Sequence, residues 1–265
     1  MSIVVTAATG QLGRLVVASV LDRGVDPAQI VATGRSTDRL TELAQQGVRV
    51  AELDYSKPAD GVINAGDTVL LISGSEVGQR IEQHRNVIEL AQKAGAARIV
   101  YTSVLRADRT TLAIAPEHVA TEDILKASGV PYTILRNGWY TENYAPTFAQ
   151  AAAGGVVVTS AGDGRISAAS RQDFAEAAAA VLTGQGHDGA IYELGGDAAF
   201  TMPGWPTPSP PFSAARSSCT TSAASSTGPR CWAPASTNPP PGSSSCWTAT
   251  PPTENSSPTP QTSPA

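Results

Sequence analysis

The stretch "TAATGQLG" (6–13) joins a short apolar run, "IVV", to a segment with helical spacing. Gly10 and Gly13 occupy the last two glycine positions of a G-x-x-G-x-x-G pattern, with Ala7 in place of the first. A strand that turns tightly into a helix leaves the first helical N–H groups unpaired. These groups, together with the helix dipole, attract a phosphate. A glycine at position 10 lets the backbone approach the phosphates, and one at 13 lets helix and strand pack closely. Thr6, Ala7, Ala8, Thr9, Gly10, Gln11 and Leu12 therefore form a candidate dinucleotide loop, because they follow a first strand and open a first helix. The second strand ends in "TGRS". An NAD site would place Asp or Glu there for the ribose hydroxyls, whereas Arg suits a 2′-phosphate. Arg35, a planar and permanently charged fork, points to NADPH; a solvated surface arginine is the alternative. Asp54 follows the third strand, where adenine-edge contacts form, or it only caps a turn. Ser73, Gly74 and Ser75 make a small-residue loop after the fourth strand, placed for a cofactor ribose, with ordinary turn chemistry as the rival reading.

These loops need strands and helices to hold them. Strand-like runs cover 3–5, 30–34, 48–53, 68–73, 98–103, 132–136 and 190–194. Helical patterns fall between them: 12–24, 39–47, 78–95, 116–129 and 171–184, several closed by glycine. Ser170 with Asp173 three residues later predicts the start of the last helix. Strands alternating with helices imply an α/β chain: a Rossmann-type, doubly wound parallel sheet with right-handed crossovers. Such sheets bind ligands at the carboxyl ends of their strands, which is where the candidate residues lie.

The 265-residue chain carries a net charge of −5 and changes character near residue 202. Five prolines precede that point; fifteen prolines, fourteen serines and ten threonines follow it, with no Leu, Ile, Val or Met after Met202. Residues 1–202 are expected to fold as one NAD(P)-binding domain, and 203–265 as a disordered Pro/Ser/Thr-rich tail that cannot bury enough surface to order itself. All three cysteines lie in the tail, so nothing suggests a disulfide or a metal site in the domain. The first residues show no basic, signal-like region, and no apolar run reaches the roughly 18–20 residues needed to span a bilayer. The acidic balance offers no patch for nucleic acid. A cytoplasmic protein, free of membrane and nucleic acid and compatible with a homodimer, is the expectation.

Thr102–Ser103, at the end of the fifth strand, stands where ordinary short-chain dehydrogenases keep a catalytic serine. Those enzymes add Tyr-x-x-x-Lys to protonate a reduced carbonyl. Here His118 and Glu122 hold that spacing, and a Glu cannot lower a neighbouring phenol's pKa as a Lys does. Alcohol–ketone chemistry is disfavoured. His118 is either a proton donor or a structural helix residue, and no catalytic acid is identified.

The segments "SEVGQRIEQHRNVIELAQKAG", "YTS", "PEHVATE", "YTILRNGWYTENY" and "AGDGRISAASRQDFAEAAAAVL" resemble the NADPH-dependent quinone oxidoreductases of the atypical short-chain, NmrA-like group. The likeness runs from residue 3 to about 202. It implies strand order 3-2-1-4-5-6-7, a small C-terminal substrate lobe, and hydride transfer from NADPH to a quinone without flavin. It also implies that Asn137, Gly138, Trp139 and Tyr140 join residues 7–12, Arg35 and 73–75 in holding NADPH, and that Tyr140, Asn143 and Tyr144 line the nicotinamide end and the quinone pocket. Quinone reduction needs proximity and stacking more than a strong acid. Trp139, Tyr140 and Tyr144 could supply an aromatic wall, with core packing as the plainer role.

The resemblance stops where the composition changes, and the genetic code explains how. Reading the last base of each codon with the first two of the next, Trp (always TGG) nearly forces several junctions. Trp205–Pro206 then encodes Ala, Cys231–Trp232–Ala233 encodes Leu-Gly, and Cys246–Trp247–Thr248 encodes Leu-Asp. The neighbouring junctions permit "LADAV", "LGAGL" and "ELFTDSPD", which resemble the family's missing lobe. Residues from about Pro203 onward are thus expected to be an out-of-frame translation, with a genuine low-complexity extension as the alternative. The substrate lobe would be incomplete. Two further readings stay open: a non-catalytic NADP(H) sensor, and an inactive product.

Overall fold

The structure, a computed structural model, describes residues 1–154, 157, 159–202 and 248–250. Seven parallel strands form its centre: β1 (Ile3–Val5), β2 (Ile30–Gly34), β3 (Arg49–Glu52), β4 (Thr68–Leu71), β5 (Arg98–Val104), β6 (Tyr132–Asn137) and β7 (Ile191–Leu194), in the order β3-β2-β1-β4-β5-β6-β7. Successive residues of each central strand enter opposite cores. Val5, Leu70, Val100 and Leu135 pack on one face with α1 (Gln11–Asp22) and α6 (Arg171–Thr183); Val4, Val69, Ile99 and Ile134 pack on the other with α3 (Arg80–Ala94) and α4 (Ala115–Ala127). Burial on both faces is why these strands read as unbroken apolar runs rather than alternating ones. The sheet is the expected Rossmann-type architecture with the expected strand order.

Most elements lie within two residues of their expected ends. Gly95 closes α3 in the left-handed region at φ 73°. Ser170 and Asp173 cap α6 reciprocally: Asp173 N donates to Ser170 Oγ at 3.1 Å and Ser170 N to Asp173 Oδ2 at 3.0 Å. The helix expected over 39–47 is a 3-10 turn, Thr37–Leu40, followed by the short α2 (Thr41–Gln45). A further helix, α5 (Ala145–Gly154), has no counterpart in the sequence reading, although its alanines favour a helix. With the 3-10 turn Thr141–Tyr144 and the bridges Tyr140–Ala169 and Ile166–Phe200, it forms the described part of a lobe beyond β6. Of the tail expected to be disordered, only Thr248–Thr250 is described: β8, paired antiparallel with β7. An edge strand's free N–H and C=O groups accept any extended segment. The remainder of 203–265 lies outside the described residues.

The sheet's α3–α4 face also encloses a polar cluster that takes in the candidate proton donors. Glu122 is 1% exposed; Arg136 Nε and Nη2 donate to its two carboxylate oxygens at 2.9 and 2.8 Å, and Ser103 Oγ donates to Oε1 at 2.7 Å. Burial opposes ionisation of Glu122, but the hydrogen bonds from Arg136 and Ser103 outweigh it and hold the carboxyl below its ordinary pKa. Ser103 therefore serves an internal ion pair. His118, 4% exposed, places Nδ1 2.7 Å from the Tyr101 hydroxyl. His84 is fixed as one tautomer. Gly74 N donates to its Nε2 at 2.9 Å, so the proton sits on Nδ1 and is donated to Thr121 Oγ1 at 3.0 Å, while Thr121 donates onward to the Glu117 carbonyl.

Burial, with Arg80 nearby, pushes the pKa of His84 down to about 3 and that of His118 to about 4. Both imidazoles are neutral when folded but take up protons near pH 6.5 when unfolded. Their contribution to stability is thus complete above about pH 6.5 and is lost as pH falls from there toward 4. Chemical-denaturation midpoints should drop between pH 7 and pH 5, and His118→Gln should flatten that slope. An unchanged slope in the variant would mean that His118 titrates alike in both states.

Candidate active site

The carboxyl ends of β1, β2, β4 and β6 open into one cleft of about 560 Å³. Its floor is the turn between β1 and α1. Ala7 holds φ at 48°, a left-handed conformation that disfavours any residue but glycine. The missing first glycine of the pattern is therefore still required by the backbone, and Ala7 adopts it under strain. A Cβ on Gly13 would lie 2.5 Å from Ala7 O and 2.7 Å from Ala8 Cα; one on Gly10 would lie 3.2 Å from Ala7 O. Helix α1 can thus start directly against the end of β1. Its N-cap, Gly10, offers no side chain to the first amides, which stay free for a ligand.

Ala7, Thr9, Gly10, Gln11, Leu12, Arg35, Asp54, Ser73, Gly74, Ser75 and Tyr140 all line the cleft. Thr6 and Ala8 are buried beneath it. The Thr6 hydroxyl bonds Tyr55 Oη and accepts from Ile72 N at 3.0 Å, so it ties β1 to the end of β4. Arg35 Nη1 donates to Glu76 at 2.8 Å across the opening. Asp54 accepts from Ser56 N at 2.9 Å and so caps its own turn while still facing the cleft. The 73–75 loop is pinned from below: Ser73 N donates to Thr102 Oγ1 at 2.9 Å, Gly74 N to His84, and Arg80 Nε to Gly74 O at 2.6 Å. Thr102 supports this loop, and neither Ser103 nor His118 reaches the cleft wall.

At the other end stands Tyr140. Its ring meets Phe174 edge-on with centroids 5.2 Å apart, and the Arg171 guanidinium lies 5.1 Å from the ring centroid. Burial raises the pKa of its hydroxyl, partly offset by a hydrogen bond from the Asn137 side chain, so the phenol stays protonated. Asn137 is 5% exposed, and its Oδ1 has no partner among the described residues. Gly138 passes so close to β7 that a Cβ there would lie 2.9 Å from Leu194 O. Asn137, Gly138, Trp139, Asn143 and Tyr144 are not in the cleft wall. Trp139 is 45% exposed. Asn143 Oδ1 accepts from Arg171 Nη2 at 3.0 Å, and Tyr144 belongs to an aromatic group with Phe148 and Phe200 at centroid distances of 6.3 and 6.5 Å.

Sequence reasoning missed Arg171, Glu76, Tyr55, Arg39, Arg80 and Gln83, which also line the cleft. Only Arg171 had a signal, its place directly after the Ser170 cap. The others arrive through loop and helix packing that no short pattern encodes. Arg35, Arg39, Arg80 and Arg171 face the cleft against Asp54 and Glu76, so an acidic chain presents a locally basic site. The residues present fit a dinucleotide phosphate: a cradle that a Cβ would fill at Gly13, free amides at α1 and an excess of arginine.

Among the described residues no helix is long and apolar enough to cross a membrane, and no cluster of side chains could hold a metal ion. A family model described as NAD(P)H-binding matches residues 7–185. Quinone oxidoreductase 2 of Escherichia coli (strain K12) is 48% identical over 202 residues, which are 76% of this chain and 70% of that protein. An NADPH-dependent quinone oxidoreductase from Escherichia coli, solved with NADPH, aligns with a TM-score of 0.70 at 47% identity, covering 76% of this chain and 71% of its own. Triphenylmethane reductase of Citrobacter sp., complexed with NADP(H), aligns with a TM-score of 0.72 at 36% identity over 76% and 72% of the two chains. The chain belongs to the NAD(P)H-binding family and groups there with quinone oxidoreductase 2.

Proposed function

We propose that this protein is an NADPH-dependent oxidoreductase that passes hydride to a quinone without a flavin. The observation that carries the reading is a cleft that joins a phosphate cradle at Gly10–Gln11 and a basic fork at Arg35 to the fixed ring of Tyr140. Quinone oxidoreductase 2 of Escherichia coli, 48% identical in sequence and also solved with NADPH, points the same way. Bound NADPH would supply the hydride. The free α1 amides hold the pyrophosphate, Arg35 the 2′-phosphate, Asp54 the adenine edge, and Ser73–Ser75 the ribose. Asn137, Gly138, Trp139 and Tyr140 would hold the rest of the cofactor. Tyr140, clamped between Phe174 and Arg171, gives a flat wall and a protonated hydroxyl that can donate to a reduced quinone oxygen. Trp139, Asn143 and Tyr144 shape the outer quinone pocket. Reduction to an aromatic hydroquinone needs no Tyr-x-x-x-Lys pair, in keeping with Ser103 and Glu122 being committed to Arg136. The reading includes a cytoplasmic location and a homodimer, which fractionation and light scattering test.

We also propose that 1–202 is the functional domain and that residues from about Pro203 onward are translated out of frame. Besides the codon junctions, the match to quinone oxidoreductase 2 takes in 76% of this chain and 70% of that protein, so each has a stretch without a counterpart in the other. A lobe reduced in this way favours a second outcome, cofactor binding with slow or no turnover.

The full chain mixed with NADPH and a benzoquinone should oxidise NADPH above background. Binding without oxidation selects the sensor or inactive reading, and no binding refutes both the reductase and the sensor. Arg35→Ala should raise the Kd for NADPH about tenfold or more while leaving NADH nearly unchanged, since it removes a charge-assisted pair worth about 1.5–3 kcal/mol. In the gene, a single-base indel near the Met202 codon should restore a helix-forming frame; its absence defeats the frameshift proposal.

A further inference from the structure

Glu76 stands where the cofactor's phosphate is expected. Its Oε1 accepts from Arg35 Nη1 at 2.8 Å and its Oε2 accepts from Gln83 Nε2 at 2.9 Å. Gln83 is 6% exposed on α3, so one carboxylate oxygen is anchored to the core while the other holds the arginine. The pair joins residues 41 apart in sequence and bridges the loop after β2 to the loop after β4. Both side chains line the cleft and are open to solvent, at 67% and 36% exposure. Asp54, the other carboxylate in the cleft wall, is turned into its own loop by Ser56 N.

A 2′-phosphate arriving at Arg35 therefore meets an anion already in place. It must displace Glu76 or share the guanidinium with it, and two like charges on one fork repel. A 2′-hydroxyl has no such conflict: it can donate to the same carboxylate, as ribose hydroxyls do to acidic residues in NAD sites. We propose that Glu76 is a built-in competitor for the 2′-phosphate and sets how strongly NADPH is preferred over NADH. The inference rests on Arg35 being the 2′-phosphate ligand.

Glu76→Gln removes the charge and keeps an acceptor for Gln83. In fluorescence titrations of the full chain, it should lower the Kd for NADPH about two- to fivefold, the range of one solvent-exposed ion pair. It should leave the Kd for NADH unchanged or higher. Adenosine 2′,5′-bisphosphate should gain as NADPH does, and AMP should not. Combined with Arg35→Ala, the substitution should give no gain. If Glu76→Gln leaves NADPH binding unchanged or weaker while Arg35→Ala still weakens NADPH selectively, the competitor role is overturned and the Arg35 reading stands. If Arg35→Ala weakens both cofactors equally, the Arg35 reading fails and the role of Glu76 with it.

Discussion

A Cβ on residue 13 would sit 2.5 Å from the carbonyl oxygen of Ala7, closer than any real contact allows. Everything at the cleft depends on that atom being absent. Without it, α1 starts directly over the end of β1, and its unpaired amides face the point where β1, β2 and β4 end together. The same turn forces Ala7 into the left-handed region, a cost of about 1–2 kcal/mol that glycine would not incur. Strain of this kind persists only where surrounding packing over-determines the backbone. Here the α1–α6 core supplies that packing: Leu12, Val16, Val17 and Val20 of α1 interlock with Phe174, Ala178 and Val181 of α6.

The buried polar groups have one shared effect, which is to hold the loops. Thr6 and Tyr55 tie the first loop to Ile72; Thr102 and His84 hold the amides of Ser73 and Gly74; Arg136 unites Ser103, Glu122, Asp108 and Glu193 through Glu122 and its own guanidinium. Removing one partner of such a cluster leaves an uncompensated buried group, so these residues are constrained as tightly as apolar core. A serine, a histidine and a glutamate at catalytic-looking positions are thereby accounted for without assigning them chemistry.

The far end of the cleft is built differently. Arg171, at the start of α6, stacks on Tyr140, bonds Asn143, and receives the Glu142 carboxylate on its backbone N–H at 2.9 Å. One helix terminus thus gathers the 3-10 turn, the aromatic wall and the capping box of Ser170. The Tyr140 end of the cleft hangs on this junction and on the close pass of Gly138 beneath β7, whereas the α1 end hangs on Gly13.

Composition and spacing alone determined the parallel sheet, most of its helices, the capped start of α6 and the loops at the strand ends. Those features follow from local rules: apolar runs buried on two faces, glycine at helix ends, and Ser170 reaching Asp173 three residues on. Helix α5 was missed: it is a short run without a side-chain cap like that of Ser170, although its alanines favour a helix. Nor was the partner of Arg35 legible: only the approach of the β2 and β4 loops brings Glu76 to it across 41 residues. The choice between proton donor and core histidine for His118 was likewise open in the sequence. Tertiary structure decided it, because burial against Tyr101 depends on how β5 and α4 pack, and no spacing along the chain records which side of a sheet a helix will cover.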